Sequence, residues 1–292
     1  MSGRTVQFVA VGGAMAVTLL TGILLAETRK EFHFAVGPKA GLSVNNPYGS
    51  VSVRPSSGNV VIINASVASD RVEVDDSLVG NRVEIQSHLM AGADPQSGRV
   101  DYEILAPADS SITLHSSSGT LHAERLHGDI TLEGAAATVD VRDLSGAHVH
   151  VKTLNGPVTL TNVQDGHVEV DSLSGNVSLN SVTGPLVQVI STSGGISYIG
   201  DFGDRGDYRL TSHSGDIEAI VPDSVSADVS ARSIRGEVHD DIHLQPKQHL
   251  PYNSPIEGRA FWGTMGRASI SSIVVLRSFS GKIHLSKHAG KQ

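Results

Sequence analysis

The chain has 292 residues, no cysteine, a formal net charge of −8 and only 4% aromatic residues. A chain without cysteine forms no disulfide, has no thiol nucleophile and offers no thiolate to zinc. The acidic balance argues against nucleic acid as a partner, because nucleic acids are bound largely through basic side chains. The 31 glycines and the scarcity of rings favour a thin core of Val, Ile and Leu.

An apolar segment opens the chain. Residues 6–26 lie between Arg4 and Glu27 without a charged residue, and at about 1.5 Å per residue they match the roughly 30 Å of a bilayer core. We predict that residues 1–26 form a transmembrane anchor, with a cleaved signal peptide as the alternative. Basic residues flank both ends, so charge does not decide the orientation. The β pattern that follows favours a domain outside the cytoplasm, in the periplasm or at the cell surface.

The remainder divides into a short polar linker, residues 27–40, and one β domain, residues 41–288. Between Leu42 and Leu105, short runs of alternating apolar residues predict strands, and segments rich in Gly, Pro, Asn and Ser separate them.

From Ser111 to Gly236 a single pattern recurs: apolar, any, apolar, any, any, apolar, any, Gly. Val168, Val170, Leu173 and Gly175 form one copy. Apolar residues two apart share one face of a strand, so the third, three positions later, requires a bend. A hydroxyl residue usually precedes the third apolar position and favours a turn. We expect the glycine to supply a φ that other residues resist.

Two such units make about twenty residues, the length of one coil of a β-solenoid. We therefore predict an all-β protein with β-helix-like strand repeats, in which Val170 points inward and Glu169 outward. An antiparallel β-sandwich or meander built from the same strands is the alternative.

The segment Leu42–Val53 (LSVNNPYGSVSV), followed by the glycine-punctuated strands, carries a resemblance to a known family. It resembles a bacterial family of β-strand-repeat proteins of unknown function whose members are usually labelled as candidate adhesins. The resemblance covers roughly residues 40–285. It implies the repeat fold and a role in surface attachment, and it supplies no catalytic residue to match here.

The repeat pattern fails between residues 240 and 270, and loops of this length are usually functional or disordered. We predict an insertion loop whose rings and guanidinium groups either contact a partner or cap the end of the stack. The candidate partner-binding residues are Tyr252, Arg259, Phe261, Trp262 and Arg267. The last copy of the repeat, Ile273 to Leu285, is predicted to close the stack.

Other groups of polar residues are weaker candidates for sites. His148 and His150 share the outward face of one strand, and a metal would need a third ligand beside them. Asp201, Asp204 and Asp207 lack the spacing of a calcium loop. The sequence thus predicts no metal and no cofactor.

Outward carboxylates on the repeats raise the alternative of a glycosidase-like pair. Asp140, Asp143, Glu169 and Asp171 are those carboxylates, but solubility alone requires polar residues there. No motif of a hydrolase, metalloprotease or nucleotide-binding enzyme is present. We predict a non-catalytic binding or adhesion module, anchored to the membrane, with a glycan or a protein as ligand. The alternatives are an envelope component that spaces or signals without its own ligand and, less favoured, a polysaccharide-active enzyme.

Overall fold

The structure, a computed structural model, describes residues 28–242, 244–245, 258–266 and 271–287. Within these ranges the chain is built from strands and turns. Their bounds are β1 Thr28–Ala35, β2 Gly41–Asn45, β3 Val51–Pro55, β4 Val60–Val67, β5 Val72–Val79, β6 Arg82–Leu89, β7 Val100–Ala106, β8 Ser111–Ser116, β9 Thr120–Glu124, β10 Ile130–Gly134, β11 Thr138–Ser145, β12 His148–Thr153, β13 Val158–Gln164, β14 His167–Ser172, β15 Val177–Val182, β16 Leu186–Ser191, β17 Ile196–Ile199, β18 Asp207–Ser212, β19 Ile217–Val221, β20 Ala227–Ser233, β21 Val238–Asp240, β22 Ala260–Met265, β23 Ser272–Ser278 and β24 Ile283–Lys287.

The strands form two sheets of 12 strands each within the described residues. From β8 to β19 the chain alternates between them, so that two consecutive strands make one coil. We call the sheet that contains β9, β11 and β13 sheet A, and the one that contains β8, β10 and β12 sheet B. Neighbouring coils pair in parallel with equivalent residues in register: Ile130 pairs with Val149, Val149 with Val168, and Val168 with Val187.

Parallel pairing confirms the predicted solenoid architecture and excludes an antiparallel sandwich for these coils. Val170 is 1% exposed and Glu169 faces outward, as the repeat pattern predicts. Antiparallel pairing is found at the two ends of the stack instead. There β1 and β4 extend sheet A, while β5 and β22 cover the two edges of sheet B.

The order of the coils departs from the order of the chain at both ends. The coil of β2 and β3 lies between the coil of β6 and β7 and that of β8 and β9. The last coil, β23 and β24, lies between the coil of β18 and β19 and that of β20 and β21. The prediction that the last repeat closes the stack is therefore wrong, because this coil is covered on both sides.

The bend that follows most of the repeat strands of sheet B turns a hydroxyl inward. The Thr153 Oγ1 donates to the Gly156 carbonyl at 3.0 Å, and the Ser172 Oγ donates to the Gly175 carbonyl at 2.6 Å. Both side chains are buried. The residue after the hydroxyl then points away from the core, so Leu154 and Leu173 are exposed.

The bend that follows a sheet A strand has a different backbone. The residues at the position of the hydroxyl adopt left-handed conformations with φ near +54°; they are Arg125, Asp143, Asn162 and Ser181. Register pairing resumes one residue later, with Leu144 opposite Val163. The left-handed residue thereby directs the third apolar side chain into the core, where Leu144 and Val163 are buried.

The expected unusual φ is found at Gly119 and Gly146, with φ of +101° and +62°, whereas glycines such as Gly175 and Gly194 are required for close approach instead. A Cβ on Gly175 would lie 2.0 Å from the Gly156 carbonyl oxygen, and one on Gly194 would lie 2.1 Å from that of Gly175. Neither glycine has a positive φ. The glycines therefore stack on one another from coil to coil, and any side chain would push the coils apart.

Two further expectations need correction. Residues 28–35 of the predicted polar linker form strand β1, paired along its whole length with β4. Aromatic rings also contribute to the core, because Tyr198, Phe202 and Tyr208 are fully buried and pack together at one sheet A bend. The rings fill the bend where the 200–207 segment replaces the usual glycine turn.

Among the described residues no helix has the length and apolar character needed to cross a membrane. The predicted anchor, residues 1–26, lies outside the described residues.

Candidate functional site

A groove runs along the edge of the stack where the sheet B strands end. Its volume is about 610 Å³, and it crosses the strand ends from β2 to β16. We call it the sheet B groove, and its lining residues are Asn45, His115, Ser116, Ser117, Glu133, Gly134, Ala135, Lys152, Thr153, Leu154, Asp171, Ser172, Leu173, Ile190 and Thr192.

Two ladders of side chains form the groove. One ladder is the last outward position of each strand, where Glu133, Lys152, Asp171 and Ile190 are register neighbours. The other ladder is the first residue of each bend, which includes Leu154 and Leu173. Because coils repeat about every 4.8 Å, both ladders run parallel to the axis of the stack.

Aliphatic side chains in this groove are exposed to an extent that the fold does not require. Leu154 is 52%, Leu173 49% and Ile190 44% exposed. Other coils place Ser117 and Thr192 at the bend position of the two leucines, so a polar residue is compatible with the same bend. Contiguous exposed apolar side chains rimmed by polar residues are typical of a binding surface.

The groove continues towards the C-terminal coils. There a second depression is lined by Ile190, Thr192, Ile234 and Phe279, among others. The Phe279 ring stacks on the His213 ring with centroids 4.8 Å apart, and the Arg235 guanidinium lies over Phe279 at 4.8 Å. Since His213 and Arg235 belong to the coils on either side, both faces of this ring are occupied.

Of the predicted partner-binding residues, the structure describes Arg259, Phe261 and Trp262, which lie at the edge of sheet B. Arg259 precedes edge strand β22, which contains Phe261 and Trp262 and pairs with β20. Phe261 is partly buried against the core. Tyr252 and Arg267 lie outside the described residues, so a contact site that includes all five stays a prediction. Strand β22 covers the edge of sheet B that β20 would otherwise expose.

The outward histidines of sheet B have more neighbours than the sequence indicated. The rings of His148 and His167 are 4.6 Å apart. Glu169 lies between His150 and His167, with 3.3 Å to a ring nitrogen of each. These imidazole and carboxylate groups form a network on the outer surface of sheet B.

The aspartates of the 200–207 loop are used locally. The Asp201 Oδ1 accepts from the Gly203 backbone N–H at 2.8 Å, and Asp207 pairs with Arg209. Phe202, between them, is buried as a core residue. The loop is therefore part of the packing at this bend.

The four outward carboxylates are divided between the two sheets, so any pair made from them would lie within one strand. Asp140 and Asp143 lie on or beside β11 in sheet A, whereas Glu169 and Asp171 lie on β14 in sheet B. Asp140 contacts His122 at 3.1 Å and Arg142 at 2.9 Å.

Glu124 shares the His122–Asp140 network, and its contacts with His122 and Arg125 lower the pKa of its carboxyl. These groups form a surface ion-pair network of sheet A.

The sequence did not predict the sheet B groove. All four of Leu144, Leu154, Val163 and Leu173 fill the third apolar position of the repeat, but Leu154 and Leu173 follow strands of sheet B, whereas the other two lie near the ends of sheet A strands. The difference can be predicted only when consecutive copies of the repeat are assigned alternately to the two sheets.

These features define a parallel β-solenoid with a lateral apolar groove. The chain belongs to the Toastrack DUF4097 family, whose model matches residues 41–260. No curated protein matches the chain.

Two solved structures are similar to the chain. One, of a candidate cell adhesion protein from Clostridium sporogenes ATCC 15579, has 14% sequence identity and a TM-score of 0.28, and the match covers 89% of this chain and 100% of that one. The other, of a candidate adhesin from Bacteroides fragilis NCTC 9343, has 11% identity and a TM-score of 0.45, with 90% of this chain and 100% of that one covered.

Proposed function

We propose that the protein is a non-catalytic binding module of the adhesion type, and that its sheet B groove holds an aliphatic segment of a partner protein. The observation that carries the proposal is the exposure of Leu154, Leu173 and Ile190, from two adjacent ladders, in one groove. Each fully buried aliphatic side chain contributes about 1.5–3 kcal/mol. A partner that covers these three half-exposed side chains thus gains several kcal/mol from a small area.

The contrast between the two edges of the stack supports this function. The same third apolar position is buried after sheet A strands, at Leu144 and Val163, and exposed after sheet B strands, at Leu154 and Leu173. The leucines of the groove therefore contribute little to the core. Their retention as large apolar groups on the surface is explained by a contact outside the chain.

A protein segment fits the groove better than a glycan. The floor is aliphatic, and the rim alternates in charge through Glu133, Lys152 and Asp171, which suits apolar side chains with polar flanks. In the adjoining depression, the Phe279 ring has both faces occupied by His213 and Arg235. It is therefore not free to stack on a sugar.

Selection of peptides from a random library displayed on phage, with the full-length chain as bait, tests the groove. We expect peptides enriched in Leu, Ile and Val that bind the unmodified chain. The double variant Leu154→Glu with Leu173→Glu should lose these peptides at least tenfold, because it places two carboxylates in the apolar floor. Its melting temperature should change little, since both side chains are about half exposed.

The matched control changes two exposed apolar residues elsewhere, Leu78→Glu with Val79→Glu, at the tip of the β5–β6 hairpin. This control should retain the selected peptides. Equal loss in both double variants would show nonspecific hydrophobic capture and contradict the groove. Binding on a glycan array that survives the groove variant would place the ligand elsewhere and replace the protein partner with a sugar.

We further propose that residues 6–26 hold this module on a membrane, outside the cytoplasm. The support is the uncharged apolar length of the segment. The full-length chain should remain in the membrane pellet after a carbonate wash, and its N-terminus should be intact. A mature chain that begins near Glu27 would contradict the anchor.

A further inference from the structure

Two histidines and an aspartate converge at the C-terminal end of sheet A. His239 on β21 and His284 on β24 are register partners on adjacent parallel strands. Asp241 directly follows β21, and its backbone N–H donates to the Leu285 carbonyl at 3.0 Å. The pairing of the two strands thus brings together residues that are separated in the chain by the 240–270 insertion.

The side-chain atoms of this group lie at ligand spacing. The His284 Nε2 is 2.8 Å from the Asp241 Oδ2, and the His239 Nε2 is 2.9 Å from the Asp241 Oδ1. One donor atom from each of the three residues lies within 4.8 Å of the other two. Among the residues that the structure describes, this is the one group of three or more such side chains with that property.

We propose that His239, Asp241 and His284 bind a zinc ion. Two imidazole nitrogens and one carboxylate oxygen are ligands that zinc takes at about 2.0–2.2 Å, with a fourth position left for water. Tetrahedral ligands at those bond lengths are about 3.3 Å apart, close to the two nitrogen–oxygen distances observed. Small rotations of exposed side chains are therefore sufficient to admit the ion.

The charges around the group favour a cation. Glu218 on β19 is the register neighbour of His284 on its other side, so a second carboxylate flanks the site. An aspartate carboxyl is ordinarily ionised at neutral pH, so Asp241 offers a charged oxygen to a cation.

The position of the group assigns the ion a structural role. Strand β21 has three residues and is the edge of sheet A. An ion bound by His239 and Asp241 at β21 and by His284 on β24 would link this short strand to its neighbour. Because it closes the chain around the 240–270 insertion, it would also stabilise the fold by restricting the unfolded state.

Calorimetric titration of zinc into the full-length chain, produced without a histidine tag and stripped with EDTA, tests the site. We expect one zinc ion per chain and a rise in melting temperature on addition of zinc. The double variant His239→Gln with His284→Gln should weaken binding at least tenfold and abolish the rise. Asp241→Asn, with a smaller change in the side chain, should weaken binding in the same direction.

His127→Gln is the matched control, since His127 lies 3.4 Å from Asp109 at the surface without a second histidine in that contact. It should bind zinc as the unmodified chain does. No zinc binding, or binding that persists in the double variant and is lost in His148→Gln with His150→Gln, would overturn the proposal. Zinc binding at the site without a rise in melting temperature would overturn its structural role.

Discussion

At the residue scale, the repeat glycine determines how closely the coils can stack. Gly156, Gly175 and Gly194 occupy the same place in successive coils, and the carbonyl oxygen of each lies where a Cβ on the next would be. The spacing between coils is set by backbone hydrogen bonds at about 4.8 Å. A side chain at this position therefore opposes pairing along the whole bend.

We predict that Gly175→Ala lowers the free energy of unfolding by about 3 kcal/mol, because the new Cβ would lie 2.0 Å from a backbone oxygen that cannot move independently. Chemical denaturation followed by circular dichroism measures the change. Gly58→Ala is the control: no atom lies within 4 Å of the added Cβ, so stability should be unchanged or raised by up to about 1 kcal/mol. Similar losses in both variants would contradict the stacking role.

At the element scale, one sequence pattern serves two different bends. After sheet B strands a buried hydroxyl bonds to the backbone, as Ser172 does to Gly175. After sheet A strands the same position is left-handed, as at Ser181, whose φ is +54°. The consequence is opposite for the next residue: Leu173 is exposed and Val182 is buried.

Glycine at the two serines should therefore have opposite effects. Ser172→Gly removes a buried hydrogen bond and adds backbone freedom to the unfolded chain, for a loss of about 2 kcal/mol. Ser181→Gly relieves a conformation that costs a residue with a Cβ about 1 kcal/mol or more, so the free energy of unfolding should stay the same or rise. Parallel denaturation curves of the two variants give the comparison, and equal losses would show that the bends are alike.

These bends show what the sequence could and could not predict. The strands and their inward residues, such as Val168 and Val170, follow from apolar spacing alone, and the structure confirms them. The exposure of Leu173 does not follow, because a leucine carries the same hydrophobic signal in either bend. The sheet B groove depends on that exposure, and the pairing of His239 with His284 depends on which strands are neighbours.

At the scale of the whole molecule, the coils at both ends of the stack are out of chain order. The coil of β23 and β24 enters between two coils that precede it in sequence, and β22 covers the outer edge of β20. At the other end, β1 is an edge strand that carries Arg29, Lys30 and Glu31. Charged edge strands hinder pairing with other chains, so this edge of sheet A is protected without a covering coil.

Sequence periodicity could not reveal this order. Each repeat presents the same apolar face, so any coil is a suitable neighbour for any other. The 240–270 connection is long enough for the last coil to return and pair between two coils that precede it in sequence. A chain that contains no cysteine permits a direct test of which strands are adjacent.

Pairs of cysteines on the outer face of sheet B should report the order of the coils. Thr211 and Arg277 are register partners, as are Arg277 and Arg232. Their Cα atoms lie on neighbouring strands about 4.8 Å apart, within the 4.4–6.8 Å range that a disulfide spans. Thr211 and Arg232 lie two strands apart, at roughly 9.6 Å, which is beyond that reach.

We therefore predict that Thr211→Cys with Arg277→Cys, and Arg232→Cys with Arg277→Cys, form intramolecular disulfides on mild oxidation, whereas Thr211→Cys with Arg232→Cys does not. Mass spectrometry of tryptic peptides under non-reducing conditions identifies each link. In a stack that followed the order of the chain, the 211–232 pair would be adjacent and would cross-link readily. A disulfide in that pair, with none to position 277, would show that the last coil lies at the end of the stack after all.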